Sequence, residues 1–202
     1  MKTFSILLLC VLVGCSEDQE KSEKLPFISE EPIEFSGFLN QDSISVKSDT
    51  YKGKIWVAEF FFASCPTICP IMNREMNLLQ EFYKKSLPDN PLQFLSFSID
   101  PSHDTPSVLK NYKKQLCRAC PNWDFLTGEE EETHRLGIND FKIFAGKGEE
   151  AEGGYAHSGA FSLIDKNGFV RGVYNITDVN GLADKNEIKR LKSDIKKLMK
   201  YE

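Results

Sequence analysis

Residues 55–70 read Ile55-Trp56-Val57-Ala58-Glu59-Phe60-Phe61-Phe62-Ala63-Ser64-Cys65-Pro66-Thr67-Ile68-Cys69-Pro70. The run from Ile55 to Phe62 is almost wholly apolar and of strand length, the pattern of a central strand covered on both faces. A helical stretch follows, because Ile71, Met72, Met76, Leu79, Phe82 and Tyr83 recur at helical spacing until the turn residues Pro88-Asp89-Asn90-Pro91 stop it. Two cysteines four apart, each followed by proline, therefore stand at the carboxyl end of a strand, where an α/β fold presents reactive groups. If the segment after Cys65 is helical, this spacing puts both sulfurs on one face with β-carbons about 5–6 Å apart. That separation suits a clamp on one metal ion or, with adjustment, a disulfide. Both chemistries are open on the spacing alone.

Outward from this stretch, Leu92 to Ile99 gives a second strand closed by Asp100-Pro101, and Thr105-Pro106 opens another helix, threonine as N-cap and proline at the first helical position, to about Leu116. Trp123 to Leu126 is a short strand, Glu129 to Leu136 a brief helix, and Gly146 to Gly154 a flexible acidic loop. Ser158 to Ile164 and Phe169 to Tyr174 form a hairpin through Asp165-Lys166-Asn167-Gly168, where Asn-Gly supplies positive φ angles. A closing helix from about Asp184 to Met199 carries Ile188, Leu191, Ile195 and Leu198 in one stripe, with lysines opposite. Upstream, Phe35 to Leu39 and Ser43 to Val46 read as a small hairpin. The order strand, helix, strand, helix, hairpin, helix is that of a thioredoxin-like α/β fold with an additional N-terminal β-hairpin.

The N-terminus has the layout of an export signal: Met1-Lys2, an apolar run from Phe4 to Val13 too short to span a membrane, then Gly14-Cys15 and an acidic stretch. Leu12-Val13-Gly14-Cys15 resembles the bacterial lipobox, in which the cysteine is diacylated. The expected organisation is a lipoprotein signal peptide over 1–14, an acidic tether over 15–27 from lipidated Cys15, and one globular domain over 28–202. Acyl chains on Cys15 would hold that domain outside the cytoplasm at a membrane of the bacterial cell envelope. After cleavage, 24 basic residues face 30 acidic ones, a formal charge of −6 with no basic face for nucleic acid.

Cys65, Cys69, Cys117 and Cys120 then remain, an even number that in an exported chain argues for disulfides. Against a merely structural Cys65–Cys69 bridge stand its tiny loop, which stabilises little by chain entropy, and its place at a helix N-terminus, where backbone N–H groups favour thiolate. The three-residue gap also departs from the two-residue spacing of redox thioredoxins. A third ligand would favour metal capture. Of the three histidines, His157 is best placed, at the mouth of the closing hairpin behind the acidic loop. Two thiolates and an imidazole make a soft site suited to copper, Cu(I) through the sulfurs and Cu(II) through the nitrogen; zinc would want a fourth ligand.

From about Phe35 onward the chain resembles the Sco/SenC family of copper-binding, thioredoxin-like proteins of cytochrome c oxidase assembly. The resemblance is carried by Cys65-Pro66-Thr67-Ile68-Cys69-Pro70, by Ser98-Ile99-Asp100-Pro101-Ser102-His103-Asp104-Thr105-Pro106, by Phe125-Leu126-Thr127-Gly128, and by His157-Ser158 ahead of Asp165-Lys166-Asn167-Gly168. It implies that Cys65, Cys69 and His157 are copper ligands. It further implies a membrane-anchored copper metallochaperone, not an enzyme in its main role, that serves the copper-bearing subunit of the oxidase, with a periplasmic thiol reductant or copper donor as further partner. Asp100 either supports the site or only caps its turn. Thr67 stands where the family has an acidic residue. His103 reads as a solvated side chain and His134 as a surface residue.

Cys117-Arg118-Ala119-Cys120 lies outside the resemblance and suits a local disulfide, a redox partner of the main pair, or part of an accessory metal site. The rival functions are a thiol:disulfide oxidoreductase, with Cys65 and Cys69 as its catalytic redox pair, and a redox or copper sensor. Against the oxidoreductase, no proline follows Pro121, so the cis-proline beside the active site of ordinary thioredoxins has no candidate before the closing hairpin.

Overall fold

A computed structural model of the chain describes residues 24–86, 91–117, 119–148 and 155–201, and of Lys85, Ser86 and His157 the backbone only. The signal peptide, Cys15 and most of the acidic loop lie outside the described residues. In chain order the elements are β1 (Phe38–Asn40), β2 (Ser45–Val46), β3 (Ile55–Phe61), α1 (Cys69–Ser86), β4 (Leu92–Ser98), α2 (Pro106–Leu116) and β5 (Trp123–Thr127). There follow α3 (Glu130–Arg135), β6 (Ala145–Lys147), β7 (Tyr155–His157), β8 (Ala160–Ile164), β9 (Val170–Asn175) and α4 (Lys185–Tyr201).

The main sheet runs β2-β1-β5-β4-β3-β8-β9. The apolar run becomes β3, buried at every residue, because strands flank it on both sides and further chain covers both faces. It pairs in parallel with β4, Ile55 opposite Leu92 through Phe61 opposite Ser98, and antiparallel with β8. Parallel β3, β4 and β5 joined by helices, then an antiparallel hairpin, are the expected thioredoxin-like order, and the N-terminal hairpin extends the sheet by pairing β1 with β5. On one face α2 packs Tyr112 against Phe61 and Phe125. On the other, Phe35, Phe38 and Phe141 close over Phe97, which stacks on Phe60 at 5.2 Å. All but the partly buried Tyr112 are fully or nearly fully buried, and these rings contribute much of the apolar core.

Three local expectations change. Residues 165–168 make a longer turn, in which Gly168 alone takes a positive φ, 93°, while Asp165 Oδ1 accepts the amides of Asn167 and Phe169. Gly146 and Lys147, read as the start of a flexible loop, join Ala145 in β6 and pair with β7. The packed body also begins earlier than 28. Leu25 is buried, the amide of Ile28 donates to Val170 O, and the Arg171 guanidinium donates to the carbonyls of Leu25 and Pro26 while pairing with buried Asp165. An arginine that bonds two carbonyls of this short segment and a buried carboxylate is a reason for it to stay docked.

Candidate metal centre

The first functional residue lies just past the end of β3. Cys65 is in an irregular loop, and the helix begins only at Cys69. The expectation that both cysteines share a helical face therefore fails. Pro66 and the extended loop delay the helix until Ile68, whose carbonyl accepts the amides of Ile71 and Met72, and Pro70 sits in the first turn, where its missing N–H costs nothing. The loop itself brings the sulfurs together: the thiols of Cys65 and Cys69 lie in hydrogen-bonding contact and are not joined in a disulfide. Cys65 keeps 8% of its surface and Cys69 none, so an incoming group meets Cys65 first.

Burial, and then the neighbouring Cys65 thiol, drive the Cys69 pKa far above its ordinary value, outweighing the amide of Phe62 that bonds its sulfur. The helix terminus does not win here. Desolvation penalises the thiolate more than one turn of helix dipole supports it, so in the absence of metal Cys69 is a protonated thiol. Thr67 sets its hydroxyl 3.7 Å from the Cys65 sulfur.

The loop is fixed from the β4 side. Asp104 Oδ2 accepts the amide of Ala63 at 2.9 Å and the hydroxyl of Ser98 at 2.6 Å, which ties the stretch leading into Cys65 to the strand beside it. Sequence reading passed over Asp104 in favour of Asp100; the acid before Thr-Pro was the available signal. Asp100 does cap its own turn, its carbonyl taking the amides of His103 and Asp104. Its carboxylate is almost buried and also accepts from Ser102, from His103 and, at 3.4 Å, from the hydroxyl of Tyr155 on β7. Burial alone would raise the Asp100 pKa, but the bonds from His103 and Ser102 hold it below its ordinary value. His103, 79% exposed, is held in turn more basic than usual by Asp100. His134 is not a plain surface residue: its Nε2 lies 3.1 Å from Ile99 O and its ring packs near Tyr155, because α3 lies against the end of β4.

His157 ends β7, its Cα opposite Ala145 in the β6–β7 hairpin. Two residues earlier, Tyr155 packs its ring 5.6 Å from Phe62, the residue that leads into the cysteine loop. The hairpin backbone bearing His157 is thus attached at the same end of the sheet as Cys65 and Cys69. Among the described residues, no group of three histidine, cysteine, aspartate or glutamate side chains is arranged to hold a metal. The fit for a soft cation therefore rests on two adjacent sulfurs and the position of residue 157.

Beneath the pair lies a residue that sequence reading left unremarked. Glu59, the one acid in the apolar run of β3, is wholly buried, accepts the Ser96 hydroxyl at 2.5 Å, and leaves Oε2 without a hydrogen-bond partner among the described residues. Burial pushes its pKa up to about 8, so it is neutral at neutral pH.

Cys117 and Cys120 form a disulfide with Cα atoms 6.1 Å apart. It sits between the end of α2 and the start of β5, where the Trp123 amide donates to Cys120 O. Because β3, β4 and β5 run parallel, this is the opposite end of the sheet from the Cys65 loop, about 20 Å away by strand rise. The two pairs therefore do not meet within one molecule, and the bridge closes only its own short loop.

The SCO1/SenC family model matches residues 30–196. A SCO1/SenC family lipoprotein from Bacillus anthracis is 33% identical, with 84% of this chain and 98% of that one covered and a TM-score of 0.71. BsSco, described as a member of the Sco family of cytochrome c oxidase assembly proteins in which a disulfide switch was identified, is 29% identical over 89% of this chain and all of its own, with a TM-score of 0.70. The fold recurs in ScoI of Arabidopsis thaliana with copper bound, 22% identical over 84% of this chain and 99% of that one, with a TM-score of 0.66. With a family model spanning most of its length and a sheet that presents two thiols at the expected strand end, this chain belongs to the SCO1/SenC family.

Proposed function

We propose that the protein is a membrane-anchored copper metallochaperone of the cell envelope that carries copper on Cys65, Cys69 and His157 and passes it to the copper-bearing subunit of cytochrome c oxidase. The observation that carries this reading is a pair of contacting, non-disulfide thiols beside the attachment of the hairpin that bears His157. Family membership, the copper bound by the Arabidopsis relative and the assembly role of BsSco support it. Lipidation at Cys15 is supported by the description of the Bacillus anthracis relative as a lipoprotein.

Loading replaces two S–H protons by two sulfur–copper bonds, so each copper taken up releases up to two protons to solvent. The complete burial of Cys69 protects the bound ion, whereas Cys65, which keeps a small exposed edge, is where a recipient thiolate can enter and copper can leave by ligand exchange. Oxidation of the pair to a disulfide removes two electrons and both protons and deletes two donors together. A thiol reductant in the same compartment is therefore needed for loading.

A thiol:disulfide reductase is the lesser reading, since no proline follows Pro121 to supply the cis-proline that flanks the active site of ordinary thioredoxins. Mixing the reduced, copper-loaded protein with a metal-free oxidase copper domain separates the two. The chaperone reading predicts copper appearing in the recipient with Cys65 and Cys69 still reduced. Reduction of a recipient disulfide with no copper transfer would favour the reductase.

A further inference from the structure

The β6–β7 hairpin is a two-stranded sheet of its own, so no ladder of the central sheet fixes where position 157 stands. Side chains tie it down. The Tyr155 ring rests on Phe62 at 5.6 Å and near His134 at 6.1 Å. Its hydroxyl lies 3.4 Å from both Asp100 Oδ1 and Glu130 Oε1. Lys147, the cross-strand partner of Tyr155, pairs with the same Glu130 oxygen at 3.0 Å. Asp100 is a firm anchor, itself nearly buried and oriented by Ser102 at 2.7 Å. A phenol has one proton, so with two carboxylates in reach it bonds one at a time. By the two-residue period of a strand, positions 155 and 157 share a face, and Tyr155 turns that face toward the residues leading into Cys65.

We infer that Tyr155 is a positioning residue for copper, its hydroxyl bond to Asp100 or Glu130 and its contact with Phe62 holding β7 so that residue 157 is presented to the two thiols. A strand held by one shared proton, two ring contacts and one largely exposed ion pair pivots away at small cost. The tether therefore sets how fast copper is released as well as how it is held. This inference rests on His157 as the third ligand.

The test compares wild type, Tyr155→Phe, Tyr155→Leu and Asp100→Asn, each as the reduced protein. Amide hydrogen exchange in β6 and β7 is measured without metal. Release of Cu(I) to a chelator, and nitrogen hyperfine coupling of the Cu(II) form, are measured with it. Loss of one hydrogen bond predicts hairpin exchange and copper release roughly fivefold faster in Tyr155→Phe, faster still in Tyr155→Leu, and intermediate in Asp100→Asn, which keeps an acceptor oxygen. Sulfur ligation should be the same in all four. If wild type shows a nitrogen signal that His157→Ala abolishes, yet Tyr155→Phe leaves exchange and release unchanged, the tether is overturned while the copper site stands. If wild type shows no nitrogen signal sensitive to His157→Ala, the three-ligand reading falls and the inference with it.

Discussion

The two cysteine pairs of this chain differ less in sequence than in what the fold does with them. Cys65 and Cys69 close a loop at the carboxyl end of β3 and remain thiols; Cys117 and Cys120 close one just before β5 and form a disulfide. Spacing does not separate them, since either pair is close enough to bridge. Their place on the sheet does. The first pair opens a helix at the end where β4, the Asp100–Asp104 turn and the β6–β7 hairpin converge, with Thr67 beside it and Asp104 bonded to the stretch leading into it. The second pair, at the other end, has Trp123 and the end of α2 as neighbours, and no ligand set near it among the described residues. Reactive chemistry follows the carboxyl edge of the sheet, and stapling chemistry is left to the opposite edge.

The sharpest way to break this contrast is to remove each pair. Cys65→Ser or Cys69→Ser should abolish copper retention against a mild chelator, whereas Cys117→Ser with Cys120→Ser should retain it fully, as read by metal analysis after desalting. Copper loss from the second double variant would erase the distinction.

Proton release sharpens the contrast next. Because the Cys69 pKa is raised by burial and by Cys65, uptake must displace the Cys69 proton together with any that Cys65 carries. The apparent copper affinity should climb by up to about a hundredfold per pH unit between about pH 6 and pH 8. A flat profile in competition titrations would mean that the thiols are already ionised.

Glu59, under the first pair, gives the third effect. Its folded-state pKa of about 8 lies above the ordinary 4.5, so the folded state holds this proton more tightly than the unfolded chain does. That contribution is complete below about pH 4.5 and is lost as pH rises through about 8, amounting to several kcal/mol. Glu59→Gln should remove this slope and melt higher than wild type at alkaline pH; parallel melting curves for the two proteins across that range would contradict it.

The smallest effect belongs to the staple. A four-residue ring contributes about 2 kcal/mol in the chain-entropy view, so the double serine variant should melt about 4–8 °C lower. A larger drop, or any change at the copper site, would give this pair a role beyond its own loop.

Much of the sheet was legible in the sequence, because its central strands are apolar on both faces and their helices carry clear periodicity. The cysteine motif was legible for the same reason: it directly follows the strongest strand in the chain. Short elements fixed by tertiary contact were not. Ala145 to Lys147 has no strand signal of its own and becomes β6 only by pairing with β7. The loop holding Cys65 looks helical by spacing, yet Pro66 and the bond between Ala63 and Asp104 keep it open. The thiolate expected at the helix start was overruled by burial, which a linear sequence does not reveal. Asp104, Glu59 and Tyr155 went unmarked because each acts through a neighbour far away in the chain.

The account stands on one copper ion gripped by Cys65, Cys69 and His157. X-ray absorption on the reduced, singly loaded protein and on its His157→Ala variant tests that directly. The account predicts two sulfurs and one nitrogen around copper in the first and the loss of that nitrogen in the second. Identical spectra from the two proteins would contradict it.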